Sequence, residues 1–199
     1  MKDKVVLWSE GIWSNEPKAY EYADKNLIVM AEEGSDYWVK TLYGFERDSG
    51  HSLLAPWDKE RAVEVSFKLD SFTELYDQAG LMIWHHSKQW VKAGIEINDG
   101  IPCLAVVVTN EFSDWSLSPV PEGINKEVTI RASCIEDAVI IRARIEEGEW
   151  RTIRVARFVA SELQAGPFVC SPTRSGLEVT FTKWVTREAD QDIHTDPSN

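Results

Sequence analysis

Short apolar runs separated by turn residues constrain the fold of this chain more than any other feature of its sequence. The runs are rich in Val, Ile, Phe, Trp and Thr, a composition that is typical of strands. They lie at 4–8, 26–31, 37–43, 62–69, 78–85, 90–97, 102–109, 127–133, 138–146, 150–157, 166–170 and 177–186. Turn residues stand between them, as in NDG at 98–100. With almost no helical periodicity present, the sequence predicts an all-β fold of two packed antiparallel sheets.

The length of the chain indicates one domain. A single β-sandwich can contain roughly 200 to 250 residues, and this chain has 199. We therefore expect one domain over residues 1–187. The remaining segment, EADQDIHTDPSN at 188–199, is polar and acidic and offers almost nothing to bury. It is predicted to be a disordered tail.

The net charge and the absence of long apolar runs limit the possible partners. The formal charge is −12, whereas attraction to nucleic acid or to anionic lipid needs clustered Lys and Arg. No apolar run reaches the ~18 residues of a membrane span. Trp8, Ser9 and Glu10 interrupt the first apolar stretch, so the N-terminus lacks the pattern of a secretory signal. We expect a cytoplasmic protein that binds neither nucleic acid nor membranes.

The cysteines and the paired histidines do not indicate a metal site. Cys103, Cys134 and Cys170 are widely spaced among apolar residues, which favours reduced buried thiols over a disulfide or a zinc site. His85 and His86 are adjacent, so on a strand they point to opposite faces and cannot converge on one ion. They also fall in WHHSKQ, which is predicted to be the turn of a hairpin. No metal and no cofactor are expected.

Strand alternation predicts one polar and aromatic face on two neighbouring strands. Within 90–96, the side chains of Trp90, Lys92 and Glu96 lie on one side, and those of Val91, Ala93 and Ile95 lie on the other. The apolar side belongs to the core. The opposite side is completed by residues of the preceding strand, and its members are Tyr76, Gln78, Trp90, Lys92 and Glu96, next to the glycines at 80 and 94.

Lys92 and Glu96 are too far apart to pair with each other. They are two same-face steps apart, about 13 Å along the strand. Each therefore needs a partner from another strand, such as Gln78 or Arg157, or from a ligand. A satisfied polar network and a ligand site both remain open at this point.

Two further segments contribute candidate residues at the rim of this face. NEFSDWSLSP at 110–119 lacks strand alternation and is predicted to be a loop that carries Asp114 and Trp115. SDYW at 35–38 has the same character and contributes Asp36 and Trp38. Aspartates of this kind also close turns. His51 is a candidate for ligand contact or for a hydrogen-bonded loop histidine.

Six stretches together resemble a known family. They are SDYWVKTLYGF (35–45), DSGH (48–51), YDQAGLMI (76–83), WVKAGIE (90–96), VVVTNEFSDWS (106–116) and AGPFVCSPTRSGLEVTF (165–181). On these stretches the chain resembles the "regulation of enolase" family, a domain of unknown function in the concanavalin A-like lectin and glucanase superfamily. The resemblance implies a jelly-roll sandwich with one concave sheet, on which members of the superfamily commonly bind carbohydrate. It implies no activity, because one fold can support many functions.

Three functions from different classes remain. The first is an uncharacterised binding protein that takes a carbohydrate or small polar metabolite on its concave face, without clear catalytic machinery. Trp38, Trp90 and Trp115 would form the walls, and Gln78, Lys92, Glu96 and Asp114 would bond the ligand's hydroxyls. The second is a regulatory interaction module that acts on a metabolic, enolase-like enzyme, as the family name suggests.

The third function is a glycoside hydrolase or another sugar-acting enzyme. It would need two carboxyls about 5 to 9.5 Å apart. Laminarinase-type members of the superfamily carry Glu, Asp and Glu at alternating positions of one strand, whereas this chain has Glu96, Asn98 and Gly100. No catalytic residue can therefore be named from the sequence.

Overall fold

A computed structural model describes residues 3–197 of the chain. Within them lie the strands β1 (Lys4–Val5), β2 (Ile12–Trp13), β3 (Ala19–Ala23), β4 (Asn26–Met30), β5 (Tyr37–Val39), β6 (Glu46–Asp48), β7 (His51–Trp57), β8 (Arg61–Lys68), β9 (Gln78–His86), β10 (Gln89–Asn98), β11 (Ile101–Asn110), β12 (Phe112–Pro119), β13 (Glu127–Ile135), β14 (Ala138–Ile145), β15 (Arg151–Arg157), β16 (Leu163–Cys170) and β17 (Glu178–Glu188). Two short 3₁₀ helices lie at Trp8–Glu10 and Pro121–Gly123. No helix of this part of the chain is long and apolar enough to cross a membrane.

The strands form two large antiparallel sheets and one separate hairpin. The eight-stranded sheet has the order β15-β14-β13-β8-β17-β4-β3, with β1 beside β17. The seven-stranded sheet has the order β12-β11-β10-β9-β16-β7-β2, and β5 pairs only with β6. Neighbours in these sheets are often distant in sequence, as in the jelly roll. The predicted two-sheet antiparallel sandwich of the concanavalin A-like type is confirmed.

One core lies between the two large sheets. Strand alternation supplies it, since every second side chain of a strand points to the same face. Val65 on β8 and Trp184 on β17 come from one sheet, and Leu81 on β9 and Ile95 on β10 come from the other. The remaining side chains of β9 and β10 are therefore directed to the outward face of the seven-stranded sheet, which we call the site face.

Local turn chemistry produces the hairpin that joins β9 to β10. Only Ser87 and Lys88 separate the two strands, so the predicted turn within WHHSKQ is confirmed. The Nδ1 atom of His86 accepts a hydrogen bond from the Lys88 backbone N–H at 3.2 Å, and His85 Nδ1 lies 2.8 Å from the Glu162 carbonyl oxygen. Both histidines therefore have structural partners, His86 within the turn and His85 in the distant Glu162 carbonyl.

Five strands lie where the sequence analysis predicted none, namely β2, β3, β6, β7 and β12. The segment 110–119 was expected to be a loop, and this is wrong, because Phe112–Pro119 forms the edge strand β12. An edge strand exposes much of both faces, so its polarity does not alternate. The strand His51–Trp57 was not predicted either, and it contains a proline, a residue that is rare inside strands. Pro56 lies near the end of β7 and is exposed there.

The tail contacts the outer face of the eight-stranded sheet. The Asp190 carboxylate accepts hydrogen bonds from Arg131 Nη2 at 2.7 Å and from Arg142 Nε at 3.0 Å, and all three side chains are buried. Arg142 Nη2 also donates to the carbonyls of Asp192 and Thr195, each at 3.1 Å. The disordered tail at 188–199 and the single domain over 1–187 stay predictions, and these contacts favour order between Asp190 and Thr195.

Candidate functional site

The β5–β6 hairpin lies across the site face. Tyr37 and Trp38 from this hairpin pack with Met82 and Trp90 of the sheet in an apolar cluster separate from the core. The ring of Tyr37 lies 5.9 Å from the rings of both Trp84 and Trp90. The hairpin thus fills the middle of the face that sequence analysis left open.

Hydrogen bonds fix the hairpin in this place. The Tyr37 hydroxyl donates to the Gly50 carbonyl at 2.6 Å and accepts from Ser52 Oγ at 2.9 Å. On the other side, the Val39 backbone N–H donates to Ser113 Oγ at 2.9 Å. Burial raises the pKa of Tyr37, so its hydroxyl stays protonated. Since buried polar groups need such partners, the hairpin is a fixed part of the fold.

A cavity of about 300 Å³ remains on the site face beside the hairpin. This volume is at the lower end of the range usual for small-molecule sites. Its lining combines aromatic side chains from the hairpin with polar side chains from β9 and β10. The lining residues are Gly34, Asp36, Trp38, Tyr43, Phe45, Arg47, Tyr76, Gln78, Lys92, Glu96, Val107, Trp115, Pro172 and Thr173.

Lys92 is the centre of a polar network in the cavity. Its Nζ atom donates to Gln78 Oε1 at 2.8 Å and to Asp36 Oδ1 at 3.0 Å. The same Asp36 oxygen also accepts the Tyr37 backbone N–H at 2.8 Å. Burial by itself would lower the pKa of Lys92. The nearby negative charge of Asp36, with smaller contributions from Cys170 and Glu96, has a larger effect in the opposite direction, so the pKa of Lys92 lies above its ordinary value. Lys92 is therefore a buried cation with a fixed counter-ion.

Glu96 is the carboxyl that this network leaves out. Glu96 is buried, with only 4% of its surface exposed, and its Oε1 atom has no hydrogen-bond partner among the residues that the structure describes. Burial raises its pKa from 4.5 to about 7, Lys92 acts in the opposite direction, and Asp36 adds to the rise. At neutral pH the group is therefore divided between its acid and carboxylate forms.

Aromatic rings form one wall of the cavity. The Trp38 ring centroid lies 5.6 Å from that of Tyr43 and 6.1 Å from that of Trp115, both in edge-to-face geometry. Tyr43 stacks on Phe45 at 5.5 Å. Trp38 Nε1 donates to the Thr41 carbonyl at 2.8 Å, whereas Trp115 Nε1 is buried with no partner in the described part of the chain. The wall therefore offers apolar ring surface together with one indole N–H that has no partner among the described residues.

Strained backbone occurs at two places beside the cavity. Lys40 and Leu42 in the tip of the hairpin have φ angles of 58° and 64°, and Tyr76 has a φ angle of 65°. Such left-handed conformations are uncommon for residues with a Cβ atom and concentrate at binding sites. A hydrogen bond with the Tyr43 side chain raises the pKa of Tyr76 to about 12. This contact joins Tyr76 to the aromatic wall.

The glycines at 80 and 94 bring two backbones together. Gly80 and Gly94 are register partners on β9 and β10. A Cβ atom on Gly94 would lie 2.0 Å from the Ala79 carbonyl oxygen, and one on Gly80 would lie 2.1 Å from that of Ala93. Glycine is needed at these positions because the backbone of the neighbouring strand approaches closely.

Most of the side chains singled out from the sequence meet in the cavity. Alternation correctly placed the polar residues of β9 and β10 on one face, and the hairpin and β12 supply the others. The predicted residues that line the cavity are Asp36, Trp38, Tyr76, Gln78, Lys92, Glu96 and Trp115. Their role as ligand contacts stays a prediction.

Trp90 and Asp114 were also expected at the site, but the structure places them elsewhere. Trp90 is on the site face but is 1% exposed, because Tyr37 covers it. Asp114 opposes Val108, whose side chain is in the core, so Asp114 points away from the face on which Trp115 lies. It is exposed and pairs with Arg154 Nη2 at 2.7 Å.

His51 and Arg157, the secondary candidates, are also outside the cavity. His51 is buried, its Nδ1 atom lies 2.9 Å from the Asn15 carbonyl oxygen, and its Nε2 atom accepts the Glu32 backbone N–H at 3.2 Å. Arg157 is exposed on β15 of the other sheet and pairs with Asp137 at 3.1 Å. Both have structural partners.

Sequence reasoning missed part of the lining. Tyr43, Phe45 and Arg47 come from the hairpin, and Pro172 and Thr173 come from the segment after β16. The aromatic pair in LYGF was a usable signal, because two exposed rings on either side of a glycine are unusual in a tight turn. The cysteines are free, as expected, and residues 3–197 contain no group of three His, Cys, Asp or Glu side chains arranged for a metal ion.

Comparisons with known proteins identify relatives. A family model described as "Protein of unknown function (DUF1349)" matches residues 13–189. "Regulation of enolase protein 1" of Saccharomyces cerevisiae is 37% identical over 185 residues, which cover 92% of this chain and 92% of that protein. The chain is thus similar to this relative over nearly its whole length.

Solved structures agree on the fold. The crystal structure of a functionally unknown protein from Saccharomyces cerevisiae superposes with a TM-score of 0.84 at 34% identity, over 98% of this chain and 100% of that one. That of xylan beta-1,4-xylosidase from Bacillus halodurans C-125 superposes with a TM-score of 0.68 at 16% identity, over 93% of this chain and 38% of the enzyme. At 16% identity the likeness shows the fold alone.

Proposed function

The chain belongs to the DUF1349 family, and from the cavity on its site face we propose that it binds a carbohydrate or a similar small polar metabolite. Glu96 carries this proposal. Its Oε1 atom is buried beside the cavity with no partner among the described residues. Such an atom costs about 1 to 3 kcal/mol, which a ligand's hydrogen-bond donor would recover.

The other polar groups of the cavity suit hydroxyl ligands. Within the part of the chain that the structure describes, the donor Trp115 Nε1 and the acceptor Glu96 Oε1 have no hydrogen-bond partner, and hydroxyl groups can both accept and donate. Trp38 and Tyr43 offer apolar ring surface next to these polar groups. Sugars combine apolar ring faces with hydroxyl edges, and this combination matches the two kinds of wall.

The fold likeness to xylan beta-1,4-xylosidase adds a weak analogy. The enzyme's name describes action on a polysaccharide, and the superposed part covers 38% of its chain. One fold hosts many functions, so this likeness supports the choice of ligands to test and no more.

A thermal-shift screen with monosaccharides, short oligosaccharides and polyols tests the proposal. We expect at least one ligand to stabilise the protein, by about 2.7 kcal/mol at a hundred times its Kd. Glu96→Gln and Trp115→Leu should reduce this stabilisation. Glu60→Gln, which changes an exposed glutamate outside the cavity, is the matched control and should respond like the wild type. If no compound of the panel stabilised the wild-type protein, the proposal would be rejected.

A regulatory interaction with a metabolic enzyme is a second candidate. The name of the yeast relative, which this chain matches over 92% of its length, favours it. Mixing the purified chain with purified enolase and measuring the mass of the eluted species by light scattering tests this candidate. A stoichiometric complex would support it, and separate elution at micromolar concentrations would count against it.

A sugar-acting enzyme is a third candidate, favoured by the two carboxyls in one cavity. Asp36 is held by Lys92, whereas the pKa of Glu96 is raised to about 7 by burial. Acid and base roles are commonly divided between carboxyls in such different environments. Release of nitrophenol from aryl glycosides by the wild type, lost in Glu96→Gln, is the expected result. Equal release by both proteins would exclude Glu96 from catalysis.

A further inference from the structure

We infer that the ligand of this cavity carries an amino group, and that the group binds as an ammonium ion against Glu96. This inference rests on the proposed ligand-binding function and narrows the ligand class to amino sugars and related polyhydroxy amines. Three features of the cavity lead to it: the pairing of Lys92, the isolation of Glu96 and the aromatic wall.

Lys92 is not available as the counter-ion of Glu96. Its ammonium group is bonded to Asp36 at 3.0 Å and to Gln78 at 2.8 Å. It lowers the pKa of Glu96 through its charge, but among the described residues its ion pair is with Asp36. A buried charge without a partner is costly, and it is neutralised by a proton or by a second charge. The buried part of the cavity therefore has one carboxyl, that of Glu96, with which a cationic group of a ligand can form an ion pair.

Arg47 is the fourth charged residue of the lining, and it lies at the rim. Its side chain is exposed, and its guanidinium carbon lies 4.8 Å from the centre of the Phe45 ring. Among the described residues it forms no ion pair with Glu96. Water screens a charge in this position, so Arg47 does not take the place of a ligand cation.

The aromatic wall favours a cation over a neutral group. The faces of Trp and Tyr rings are negative and attract ammonium groups within about 6 Å, and Trp38, Tyr43 and Trp115 all line the cavity. An anionic ligand would be repelled by the Glu96 carboxylate. Lys92, the buried cation that could attract such a ligand, is already paired with Asp36. The cavity therefore selects against acidic sugars and in favour of amino sugars.

Isothermal titration at pH 7 with matched sugars tests this inference. The probes are glucosamine, glucose, N-acetylglucosamine and glucuronate, together with the same set built on galactose. We expect the amino sugar of at least one set to bind about tenfold tighter than its neutral parent, the difference of one hydrogen bond to a charged group. N-acetylation removes the charge and should return the affinity to that of the parent sugar or below.

The variant Glu96→Gln should bind the amino sugar and the neutral sugar with equal affinity, while Glu60→Gln should keep the wild-type difference. Tighter binding of a neutral or acidic sugar by the wild type would overturn the inference and leave the proposed function intact. Binding of none of the probes would overturn the inference, and the proposed function would be rejected with it if the wider thermal-shift panel also stabilised nothing. The wild-type series decides between these outcomes even if Glu96→Gln does not fold.

Discussion

At the scale of single residues, the cavity depends on an uneven distribution of partners among four polar side chains. Lys92 is bonded to both Asp36 and Gln78, whereas Glu96 Oε1 has no partner in the described part of the chain. Lys92 therefore holds the hairpin to the sheet, whereas Glu96 can bind a ligand group or a proton. The two residues have different roles although they lie on the same strand face.

Removing the charge of Lys92 should destabilise the protein strongly. Lys92→Met leaves the mostly buried Asp36 carboxylate without its counter-ion, and breaking a buried pair in this way costs about 3 to 5 kcal/mol. Urea unfolding measures the change. Lys88→Met, which removes an exposed partner of Glu46 at 3.6 Å, should change the free energy of unfolding by less than about 1 kcal/mol. Equal effects of both variants would contradict a structural role for Lys92.

Glu96 should make stability fall with rising pH. The pKa of Glu96 is about 7 in the folded chain, whereas its ordinary value, expected in the unfolded chain, is 4.5. As the pH rises, the unfolded chain therefore loses this proton at a lower pH than the folded chain does. Its contribution is complete below pH 4.5 and is lost as the pH rises to about 7, which amounts to about 3 kcal/mol. Glu96→Gln does not titrate, so its unfolding free energy relative to the wild type should increase by that amount between pH 4.5 and 8. A difference that stays constant with pH would contradict this prediction.

At the scale of secondary-structure elements, two segments that lie outside the large sheets each cover part of the outer face of one sheet. The β5–β6 hairpin covers the site face and creates the cavity beside it. The segment after β17 covers Arg131 and Arg142 on the outer face of the other sheet. In each case an aspartate, Asp36 or Asp190, pairs with a buried cation and so fixes the segment.

The tail should detach when Asp190 loses its charge. Asp190→Asn leaves the buried Arg131 and Arg142 short of one carboxylate, and a loss of about 3 kcal/mol or more is expected. Asp196→Asn is the matched control, because Asp196 is exposed and its pair with Arg142 is longer at 3.4 Å. Urea unfolding gives the stability, and hydrogen exchange at 189–197 reports order in the tail. Fast exchange there in the wild type would instead support the disordered tail expected from the sequence.

At the scale of the whole molecule, the two large sheets share one core. A single cluster of buried apolar side chains includes Val6 near the N-terminus, Leu81 and Ile95 from the seven-stranded sheet, and Trp184 from the last strand. Neither sheet could keep its inner face buried without the other. Stability and the shape of the cavity are therefore properties of the complete sandwich.

The protein should unfold as one cooperative unit. Since one core joins both sheets, we expect a single calorimetric transition in which the calorimetric and van't Hoff enthalpies agree. A chain that ends at residue 187 should also show a single transition, at a lower temperature, because it lacks Asp190. Two resolved transitions in the full chain would contradict the predicted single domain.

Several features of the site were predictable because they are local. Alternation directs Gln78, Lys92 and Glu96 to one face wherever the strands pack, and the residues between 86 and 89 form a turn by their own chemistry. Trp90 satisfied the same pattern, yet it is buried beneath Tyr37. Alternation reports the face of a side chain, and it does not report what covers that face.

The sequence by itself determined the all-β class, the β9–β10 hairpin and the face that carries the polar residues, since period-two patterns and turn residues act over a few positions. Only the tertiary structure decided that the β5–β6 hairpin lies on this face, that Asp36 reaches Lys92 across 56 positions of sequence, and that Glu96 Oε1 has no hydrogen-bond partner within residues 3–197. The physical reason is that counter-ions and covering surfaces come from distant segments. Which of those segments meet is determined by packing around the shared core.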